Sequence, residues 1–467
     1  VLSSRMNLDT LSRSTRQPRQ TMKADKILIP RWIIPVVPRG AVLEGHFLAI
    51  RDGRISAIAP ISELADFEAD EIEQLENCAL MPGLINCHTH ASMNLLRCVG
   101  PDLTTPQWLT ECIWPIEGKL MSPEFVYQGA LLGGAEMIRG GTTMCHDMYF
   151  YGAEAARGLR ENGLRVVEGA FVIGFPSKEY SGEAQCLQGA EKLFASAADD
   201  DLLSINLAPH APYSVSKEAL QASMQLAQTL DTTWQIHLSE TDEERENAIK
   251  AFGCSPVEYL SRIGCLNEST AAVHCVSLSD RDIEILSKSG ASVIHCPVSN
   301  MRLGCGASPV AKLLEAGVNT ALGTDGAASA CTLSMFEQMR TAGMIAKGFS
   351  KDPCALNVNQ IIEMATINGA KALKSDERVG SLEIGKDADL IAIDLSRFVT
   401  VPVLDVLSCL VYAVEAQCVY QVWVKGGCVV KKQHKSAQKS DLGELLTKSD
   451  LMSWQNRVCE ILQDGSR

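Results

Sequence analysis

Short apolar runs separated by turn residues occupy both ends of the chain. They comprise residues 27–34, 41–51 and 54–58 near the N-terminus, and residues 389–394 and 419–430 near the C-terminus. Asp52-Gly53 and Gly426-Gly427 interrupt these regions, as expected for tight turns between paired strands. Neither end carries enough apolar surface to fold alone. We therefore expect the two ends to pair into one small β-domain.

The middle of the chain has a longer period, in which apolar runs alternate with helical stretches. Eight such runs cover residues 79–86, 142–147, 164–172, 203–207, 233–238, 271–275, 292–295 and 319–323. Intervening segments such as 123–139 and 279–289 repeat their apolar residues with helical spacing. Continuous apolar strands that alternate with helices are typical of a parallel sheet covered by helices. Eight of them predict a closed (β/α)8 TIM barrel.

Together, the two patterns predict an α/β protein: a (β/α)8 TIM barrel with a small β-sandwich domain formed by both chain ends. The predicted parts are a disordered tail (1–22), the N-terminal part of the sandwich (23–80), the barrel (81–378), the C-terminal part of the sandwich (379–432) and a helical or tail segment (433–467). The catalytic chemistry is expected in the barrel, since the loops at one end of such a barrel carry the active site.

The amino-acid composition of the chain disfavours several classes of binding partner. The chain is 46% apolar and 21% charged, which is typical of a globular protein with a sizeable core. Its 56 acidic and 42 basic residues give a net charge of −14, which disfavours nucleic acid and anionic lipid as partners. No apolar run is long enough to predict a membrane span. We therefore expect neither nucleic acid nor a membrane surface as a partner.

The cysteines and the N-terminus bear on the compartment. The 17 cysteines form no Cys-x-x-Cys pair, and most lie singly in apolar runs, which is typical of buried thiols in a reducing compartment. The first 21 residues are rich in Arg, Ser and Thr and lack the apolar stretch of a secretory signal. We interpret these residues as a disordered tail or as the result of an upstream start codon. An organelle-targeting segment stays open as the alternative. We predict a cytoplasmic protein.

Histidines cluster at the ends of the predicted barrel strands. Seven of the nine lie there: His88, His90, His146, His210, His237, His274 and His295. Because the C-terminal ends of barrel strands converge on one mouth, side chains far apart in sequence meet there. The last predicted strand adds Asp325 to the same mouth.

Part of this set has the character of a metal site. His88 and His90 are two residues apart, so an extended strand points both to the same face. With His237 and Asp325 they form a set of three nitrogens and one oxygen that suits Zn²⁺ with room for a water. The end of the fourth strand carries no lysine that could be modified to bridge two metals. We therefore predict one metal ion.

Several motifs resemble those of a known family. Met-Pro-Gly-Leu-Ile-Asn-Cys-His-Thr-His at 81–90, His-Leu-Ser-Glu-Thr at 237–241, His-Cys at 274–275 and Gly-Thr-Asp-Gly-Ala-Ala-Ser at 323–329 resemble the amidohydrolase superfamily in order and spacing. Pro-His-Ala-Pro-Tyr at 209–213 and Ile-Trp-Pro-Ile-Glu at 113–117 are most similar to the 5-methylthioadenosine/S-adenosylhomocysteine deaminases and their chlorotriazine hydrolase relatives. The resemblance extends from about residue 24 to 431 and implies a barrel plus a small β-domain, in agreement with the apolar pattern.

Carried over residue by residue, the resemblance implies the following metal ligands: His88, His90, His237 and Asp325. It implies one Zn²⁺ per subunit, with iron or manganese as alternatives, and a homo-oligomer. Glu240 would be the proton shuttle, and His274 would polarise or orient the attacking water. Asp325 would also accept a proton from that water.

The resemblance implies a substrate pocket as well. Glu117 would accept hydrogen bonds from the ribose diol, while Trp108 and His210 would line the nucleoside pocket. A purely structural role stays open as the alternative for several of these side chains. Glu117 would then be a solvated helix carboxylate and Trp108 a core residue. In the same way, Glu240 would interact with a helix dipole and His274 would be a satisfied core histidine.

The implied reaction is hydrolytic deamination of 5′-methylthioadenosine to 5′-methylthioinosine, with release of ammonia; S-adenosylhomocysteine and adenosine are further candidate substrates. Residues 175–190 contain no arginine to clamp an amino-acid carboxylate, which favours methylthioadenosine. Two segments depart from the family pattern: Arg302 stands where lysine is common, and residues 329–334 lack the usual Asn and Asp side chains. The alternatives are a chlorotriazine-type hydrolase, a guanine or cytosine deaminase, and an inactive barrel that serves as a scaffold.

Overall fold

The computed structural model describes residues 21–100, 102–197 and 199–432. The predicted segment 433–467 lies outside these residues, and so does the predicted N-terminal tail up to residue 20. The first strand begins at Met22. No helix in the described ranges combines the length and apolar character needed to cross a membrane.

The described residues contain sixteen strands, and they form two sheets of eight strands each. In chain order they are β1 (Met22–Ile33), β2 (Leu43–Glu44), β3 (His46–Arg51), β4 (Arg54–Pro60), β5 (Phe67–Pro82), β6 (Leu84–Thr89), β7 (Thr142–Met148), β8 (Arg165–Val172), β9 (Leu203–Pro209), β10 (Trp234–Leu238), β11 (Thr270–His274), β12 (Ser292–His295), β13 (Thr320–Leu322), β14 (Leu390–Asp394), β15 (Val419–Val424) and β16 (Gly427–Lys431).

Sixteen α-helices connect or flank these strands in the described residues. They are α1 (Thr105–Gln107), α2 (Trp114–Leu120), α3 (Pro123–Arg139), α4 (Gly152–Arg160), α5 (Glu183–Ser196), α6 (Lys217–Thr229), α7 (Asp242–Phe252), α8 (Pro256–Arg262), α9 (Asp280–Ser289), α10 (Pro297–Arg302), α11 (Val310–Glu315), α12 (Ala327–Ala330), α13 (Met335–Ser350), α14 (Val358–Met364), α15 (Ile367–Ala372) and α16 (Val406–Tyr412). Short 3₁₀ helices cover Ile61–Asp66, Ala91–Leu96 and Ala416–Cys418, and a π-helical segment, Trp108–Ile113, joins α1 to α2.

Strands β6 to β13 form the predicted barrel. Each pairs in parallel with the next, in the order in which they occur along the chain. The backbone amides of Thr324 and Asp325, just after β13, donate to the carbonyl oxygen of His88 on β6 at 3.1 and 3.0 Å. These bonds link the last strand to the first. The TIM-barrel prediction is confirmed.

Both chain ends build the second sheet, as predicted. Its strand order is β16-β15-β14-β5-β1-β3-β4, with β2 beside β1. β5 from the N-terminal part pairs antiparallel with β14 from the C-terminal part, which joins the two ends of the chain. Large apolar side chains such as Trp423 and Phe47 are fully buried in this region.

The two sheets meet at Gly83, where one strand boundary differs from the prediction. The sequence predicts residues 79–86 as the first barrel strand, but β5 ends at Pro82 and β6 begins at Leu84. A Cβ atom on Gly83 would lie 2.0 Å from Oγ1 of Thr143, so only glycine fits between the sheets. The prediction was wrong here because the apolar run continues without interruption through the junction.

A buried ion-pair cluster also joins the barrel to the second sheet. Arg165, the first residue of β8, donates to Asp387 at 2.8 Å and to Asp389 at 3.0 Å. All three side chains are almost completely buried. Asp389 immediately precedes β14, so the pairing fixes the second sheet against the strand starts of the barrel, opposite the end where the histidines lie.

Candidate active site

A cavity of about 420 Å³ opens at the C-terminal ends of the barrel strands. Most of the site residues predicted from the sequence line it: His90, Trp108, Glu117, His210, His237, Glu240, His274 and Asp325. His88, the remaining one, lies directly beneath, fully buried. The strand ends thus bring together side chains that span more than half of the chain.

The predicted metal ligands form a compact cluster. Nε2 of His88 lies 3.2 Å from Nε2 of His237. Oδ1 of Asp325 lies 3.2 Å from Nε2 of His90 and 3.8 Å from Nε2 of His88. Ligand atoms of His88, His90 and Asp325 all lie within 4.8 Å of one another, as do those of His88, His237 and His274.

Each of the three predicted histidine ligands has its outer nitrogen bound to an acceptor. Nδ1 of His88 lies 2.7 Å from Oε1 of Gln235, whose own amide group donates to the carbonyl of Cys87. Nδ1 of His90 and of His237 lie 2.5 and 2.8 Å from the carbonyl oxygens of Met148 and His210. Each Nδ1 therefore carries a hydrogen, and each Nε2 turns its lone pair towards the cluster when the ring is neutral.

This arrangement fits a divalent cation. Burial lowers the pKa of both His88 and His237 well below the ordinary value, so both rings are neutral near pH 7. Two neutral imidazoles then face each other with lone pairs only 3.2 Å apart. A cation removes that repulsion, and nitrogen ligands held by second hydrogen bonds are the usual way in which proteins bind Zn²⁺.

Two serines fix the orientation of Asp325. Oγ of Ser299 and Oγ of Ser329 donate to Oδ2 at 2.5 and 3.0 Å, which leaves Oδ1 turned towards the histidines. Burial would raise the pKa of Asp325, but the hydrogen bond and the positive charge of His90 hold it well below the ordinary value. The carboxylate is therefore ionised. Ser329 belongs to the segment that departs from the family pattern, and its hydroxyl binds the predicted ligand directly.

Arg302, the other departure, stabilises the same loop from outside. Its guanidinium donates to the carbonyl oxygens of Ala328 and Ser329 at 2.7 and 3.0 Å. These carbonyls belong to α12, one turn after Asp325. Arg302 thus contacts the backbone of the loop and is not among the residues that line the cavity.

Glu240 and His274 lie on the same side of the cluster. Nε2 of His274 is 3.8 Å from Oε1 of Glu240. Nδ1 of His274 is 2.8 Å from Oδ1 of Asn300, which directs the other ring nitrogen into the cavity. Glu240 precedes Thr241, the N-cap of α7, and is therefore not part of the helix. An acid and an imidazole thus share the wall next to the metal-type cluster.

A sequence of contacts leads from the cluster to Glu117. The ring of Tyr149 lies 6.3 Å from that of His90, and its hydroxyl donates to Oε1 of Glu117 at 2.5 Å. Burial raises the pKa of Glu117, an effect partly offset by the hydrogen bond from Tyr149. Glu117 is on α2, directly after the π-helical segment that begins at Trp108.

Trp108 is buried, donates to the carbonyl of Val99 and also lines the cavity, so it is both a core and a pocket residue.

His210 also lines the cavity, next to His237. Its Nδ1 lies 2.6 Å from Oγ of Ser214, and its ring is 5.1 Å from that of His237. Burial lowers the pKa of His210 to about 4, so the ring is neutral. A neutral imidazole with one nitrogen bound to a hydroxyl can still hydrogen-bond a ligand through the other nitrogen.

Two aromatic side chains form the outer rim of the cavity. Trp114 and Phe175 have ring centroids 6.1 Å apart, and each keeps about 40% of its surface exposed (43% and 40%). Trp114 lies one helical turn before Glu117. Lys178 lines the cavity nearby, and its ammonium donates to the carbonyl oxygens of Lys119 and Met121 at 2.9 and 3.2 Å. The rim is therefore mainly apolar.

The two histidines without an assigned role are buried away from the cavity surface. Nε2 of His146 lies 3.0 Å from Oδ1 of Asn206, and burial lowers the pKa of His146 to about 4. Burial likewise lowers the pKa of His295 to about 3. Neither residue is among those that line the cavity.

Sequence reasoning missed the residues that orient the site. They are Gln235, Asn300, Ser299, Ser329 and Tyr149. A signal existed for Gln235, because a polar residue within an apolar strand two positions before a predicted ligand requires a partner. Ser299 and Asn300 lie on α10 and gave no such signal.

Comparison with known proteins agrees with this geometry. A 5-methylthioadenosine/S-adenosylhomocysteine deaminase of Saccharophagus degradans is 41% identical over 93% of this chain and 97% of its own length. A 5′-deoxyadenosine deaminase of Methanothermobacter thermautotrophicus is 40% identical over 78% of this chain and 83% of its own. The crystal structure of an adenosine deaminase from Xanthomonas campestris with bound zinc has a TM-score of 0.86 and 36% identity, and covers 95% of this chain and 99% of that one.

The family model described as Amidohydrolase family matches residues 79–429, from the end of β5 to β16. The match includes the whole barrel and all the residues of the histidine cluster. Fold, site and sequence identity therefore agree, and the chain belongs to the amidohydrolase family.

Proposed function

We propose that this protein is a metal-dependent hydrolytic deaminase of 5′-modified adenosines, which converts 5′-methylthioadenosine to 5′-methylthioinosine and ammonia. One observation carries the proposal: a single cavity holds a metal-type histidine cluster, the acid Glu240 beside it, and the carboxylate Glu117 further out. The histidine cluster suits the attack of water on a purine ring, and Glu240 suits protonation of that ring. Glu117 suits binding of a ribose. The relatives named as deaminases of such nucleosides support the same conclusion.

His88, His90, His237 and Asp325 would hold the metal. The bound cation would supply an activated water at neutral pH, because it lowers the pKa of that water. Three nitrogens and one carboxylate oxygen suit zinc, and the zinc in the Xanthomonas campestris structure supports that choice over iron or manganese.

The proton transfers are assigned to side chains of this chain. As water adds to C6 of the purine, Glu240 takes one of its protons and delivers it to N1. Asp325 accepts the second proton and returns it to the exocyclic amine, which leaves as ammonia while C6 becomes a carbonyl. His274, with its outer nitrogen bound to Asn300, orients the attacking water. Water and nucleoside thus give ammonia and the inosine analogue with all atoms accounted for.

Glu117 and His210 are assigned to the sugar. One oxygen of Glu117 is occupied by Tyr149, and the other can accept from the vicinal hydroxyls of a ribose. This assignment disfavours guanine and cytosine as substrates, because a free base has no ribose hydroxyls to donate to that carboxylate. Two carboxylates, Glu240 for N1 and Asp325 for the leaving amine, suit deamination better than a chlorotriazine-type reaction, because ammonia needs a proton to leave and chloride does not.

The rim is assigned to the 5′ substituent. Trp114 and Phe175 offer apolar surface to a methylthio group. The amino-acid end of S-adenosylhomocysteine would instead need a cation for its carboxylate, and the ammonium of Lys178 is already bound to two carbonyl oxygens. Methylthioadenosine is therefore proposed as the better substrate, followed by adenosine.

We further propose that the protein works in the cytoplasm as a homo-oligomer. We also propose that the predicted domain division (23–80 and 379–432 for the sandwich, 81–378 for the barrel) holds, with its first boundary moved to Gly83. Light scattering coupled to gel filtration measures the oligomeric state, and a monomer at micromolar concentration would contradict that part of the proposal.

The test is turnover of the zinc-loaded protein, followed by ultraviolet absorbance, on methylthioadenosine, S-adenosylhomocysteine, adenosine, guanine and cytosine. We expect fastest loss of the adenine chromophore with methylthioadenosine. Glu240→Gln should retain the metal and lower kcat by at least ~100-fold, the usual contribution of a positioned acid. Failure to turn over any adenosine would overturn the proposal, and absence of bound metal as well would favour the scaffold alternative.

A further inference from the structure

The direction of the Glu240 side chain requires an explanation. Glu240 follows His237 by three residues, and residues three apart on an extended strand point to opposite faces. Both nevertheless line the same cavity. The strand β10 ends at Leu238, and Ser239 adopts a left-handed conformation with φ of 52°. This turn brings Glu240 back to the side on which His237 lies.

The turn at Ser239 is unfavourable by itself. Only glycine, and to a lesser extent Asn and Asp, adopts this conformation easily. The hydroxyl of Ser239 gives no compensation, because Oγ is buried without a hydrogen-bond partner among the described residues. Contacts from elsewhere must therefore stabilise the turn.

The backbone amides of Val276 and Ser277 donate to the carbonyl oxygen of Ser239 at 2.9 Å, and Glu244 is the side chain that binds the amides of the turn. Its two carboxylate oxygens accept from the backbone amides of Ser239 and Glu240 at 2.9 and 2.7 Å. Two successive amides that converge in this way form a small anion-binding hollow, and the carboxylate fills it. The backbone amide of Glu244 in turn donates to Oγ1 of Thr241, so the first turn of α7 is bound to the same segment. Glu244 takes no part in the mechanism described above.

We propose that Glu244 is a positioning residue for the proton shuttle: its carboxylate holds the left-handed turn at Ser239 that directs Glu240 into the cavity. The inference rests on the proposed function, in which Glu240 moves the proton. Burial raises the pKa of the Glu244 carboxyl group to about 7, so the kinetics are best measured about one unit above that value, where the group is ionised.

The test compares Glu244→Gln with Glu243→Gln. Glu243 is exposed on the same helix, so this control removes the same charge without touching the turn. Glu244→Gln keeps the size of the side chain but loses one acceptor. We expect it to lower kcat on methylthioadenosine by about 10- to 100-fold, the effect of a misplaced catalytic group. The KM and the bound metal should stay as in the control. Equal kcat in the two variants would overturn the proposal.

A rescue separates a backbone role from a chemical one. Glycine adopts the left-handed conformation without a supporting anion, so Ser239→Gly added to Glu244→Gln should recover most of the lost kcat. If Glu244 itself handled a proton, glycine would recover nothing, and the positioning role would be overturned.

Hydrogen exchange tests the geometry without turnover. In Glu244→Gln, the amides of Ser239 and Glu240 should exchange faster than in Glu243→Gln, and unchanged exchange would contradict the proposal. A wild-type protein inactive on every adenosine would instead count against the proposed function. The two failures are therefore distinguishable.

Discussion

Nε2 of His88 and Nε2 of His237 lie 3.2 Å apart, although 149 positions separate the two residues in the chain. Their Nδ1 atoms donate to Gln235 and to a backbone carbonyl, so neither facing nitrogen carries a hydrogen when the rings are neutral. Such a contact is repulsive without a cation. The pair is therefore the strongest geometric reason for assigning a metal to this site.

Metal analysis checks that assignment. We expect one equivalent of metal per chain, and substoichiometric metal in His237→Ala. Gln235→Leu removes the acceptor behind His88 and should weaken metal affinity by about 10- to 100-fold. His46→Ala is the matched control, because His46 lies in the second sheet, remote from the cavity. Two equivalents of metal, or full occupancy in His237→Ala, would contradict the assignment.

Metal removal should also lower the thermal stability. A ligand that binds only the folded chain stabilises it by about 2.7 kcal/mol when present at roughly 100 times its Kd. Thermal unfolding with and without a chelator measures this difference. A melting temperature unaffected by the chelator would indicate that no metal binds.

Replacement of Glu117 should affect binding more than turnover. Glu117→Gln leaves a ribose hydroxyl imperfectly paired, a loss of about 1–3 kcal/mol, which corresponds to a rise in KM of about 5- to 150-fold. The kcat at saturation should change much less. For a 2′,3′-dideoxy substrate, the wild-type protein and Glu117→Gln should have the same KM. A difference in KM on that substrate would contradict a contact between Glu117 and the diol.

The same residue gives a pH dependence. Burial raises the pKa of Glu117, and the ionised form is the better acceptor for hydroxyl groups. As the pH falls through that raised pKa, the carboxylate takes up a proton and KM should rise, starting at a higher pH than for an ordinary glutamate. In Glu117→Gln the KM should lack this acidic rise. KM measured across the acidic range in both proteins tests the prediction.

The aromatic rim should select the 5′ substituent. Trp114→Ala and Phe175→Ala each remove apolar surface and an aromatic pair worth about 0.5–1.5 kcal/mol. We expect kcat/KM for methylthioadenosine to fall by roughly tenfold, with adenosine affected by less than about twofold, since adenosine has no apolar group at that position. Leu120→Ala is the control, because Leu120 is on the same helix but does not line the cavity. Equal losses on both substrates would place the substituent elsewhere.

The buried ion pairs of Arg165 should contribute to stability. Arg165→Ala leaves Asp389 buried without its guanidinium partner, while Asp387 keeps its ion pair with Arg378 at 2.7 Å. Breaking a buried ion pair in this way costs about 3–5 kcal/mol. Arg281→Ala breaks an exposed ion pair with Glu284 and should lower the free energy of unfolding much less, because water screens that pair. Denaturant unfolding of the two variants compares these free energies, and equal losses would contradict a structural role for the buried cluster.

Much of the fold follows from local sequence. The helix predicted over 123–139 is α3, which begins after the capping Ser122 and ends at Gly140. The predicted barrel strands coincide closely with β7 to β13, because a strand buried on both faces is apolar along its whole length. The one displaced boundary, at Gly83, falls where two buried strands follow each other, so hydrophobicity gives no signal at the junction.

The sequence by itself predicted that side chains at the strand ends meet at one mouth, because a barrel brings every strand end there. The structure places His90, His210, His237, His274 and Asp325 around that cavity, whereas His146 and His295 lie behind its surface. Only the tertiary structure decided how those residues are held. The serines that orient Asp325, the asparagine behind His274 and the glutamate beneath the turn at Ser239 act through hydrogen bonds whose partners are set by the packing of separate loops. Such contacts depend on distances between residues that are far apart in the chain, and hydrophobic periodicity along the chain does not predict those distances.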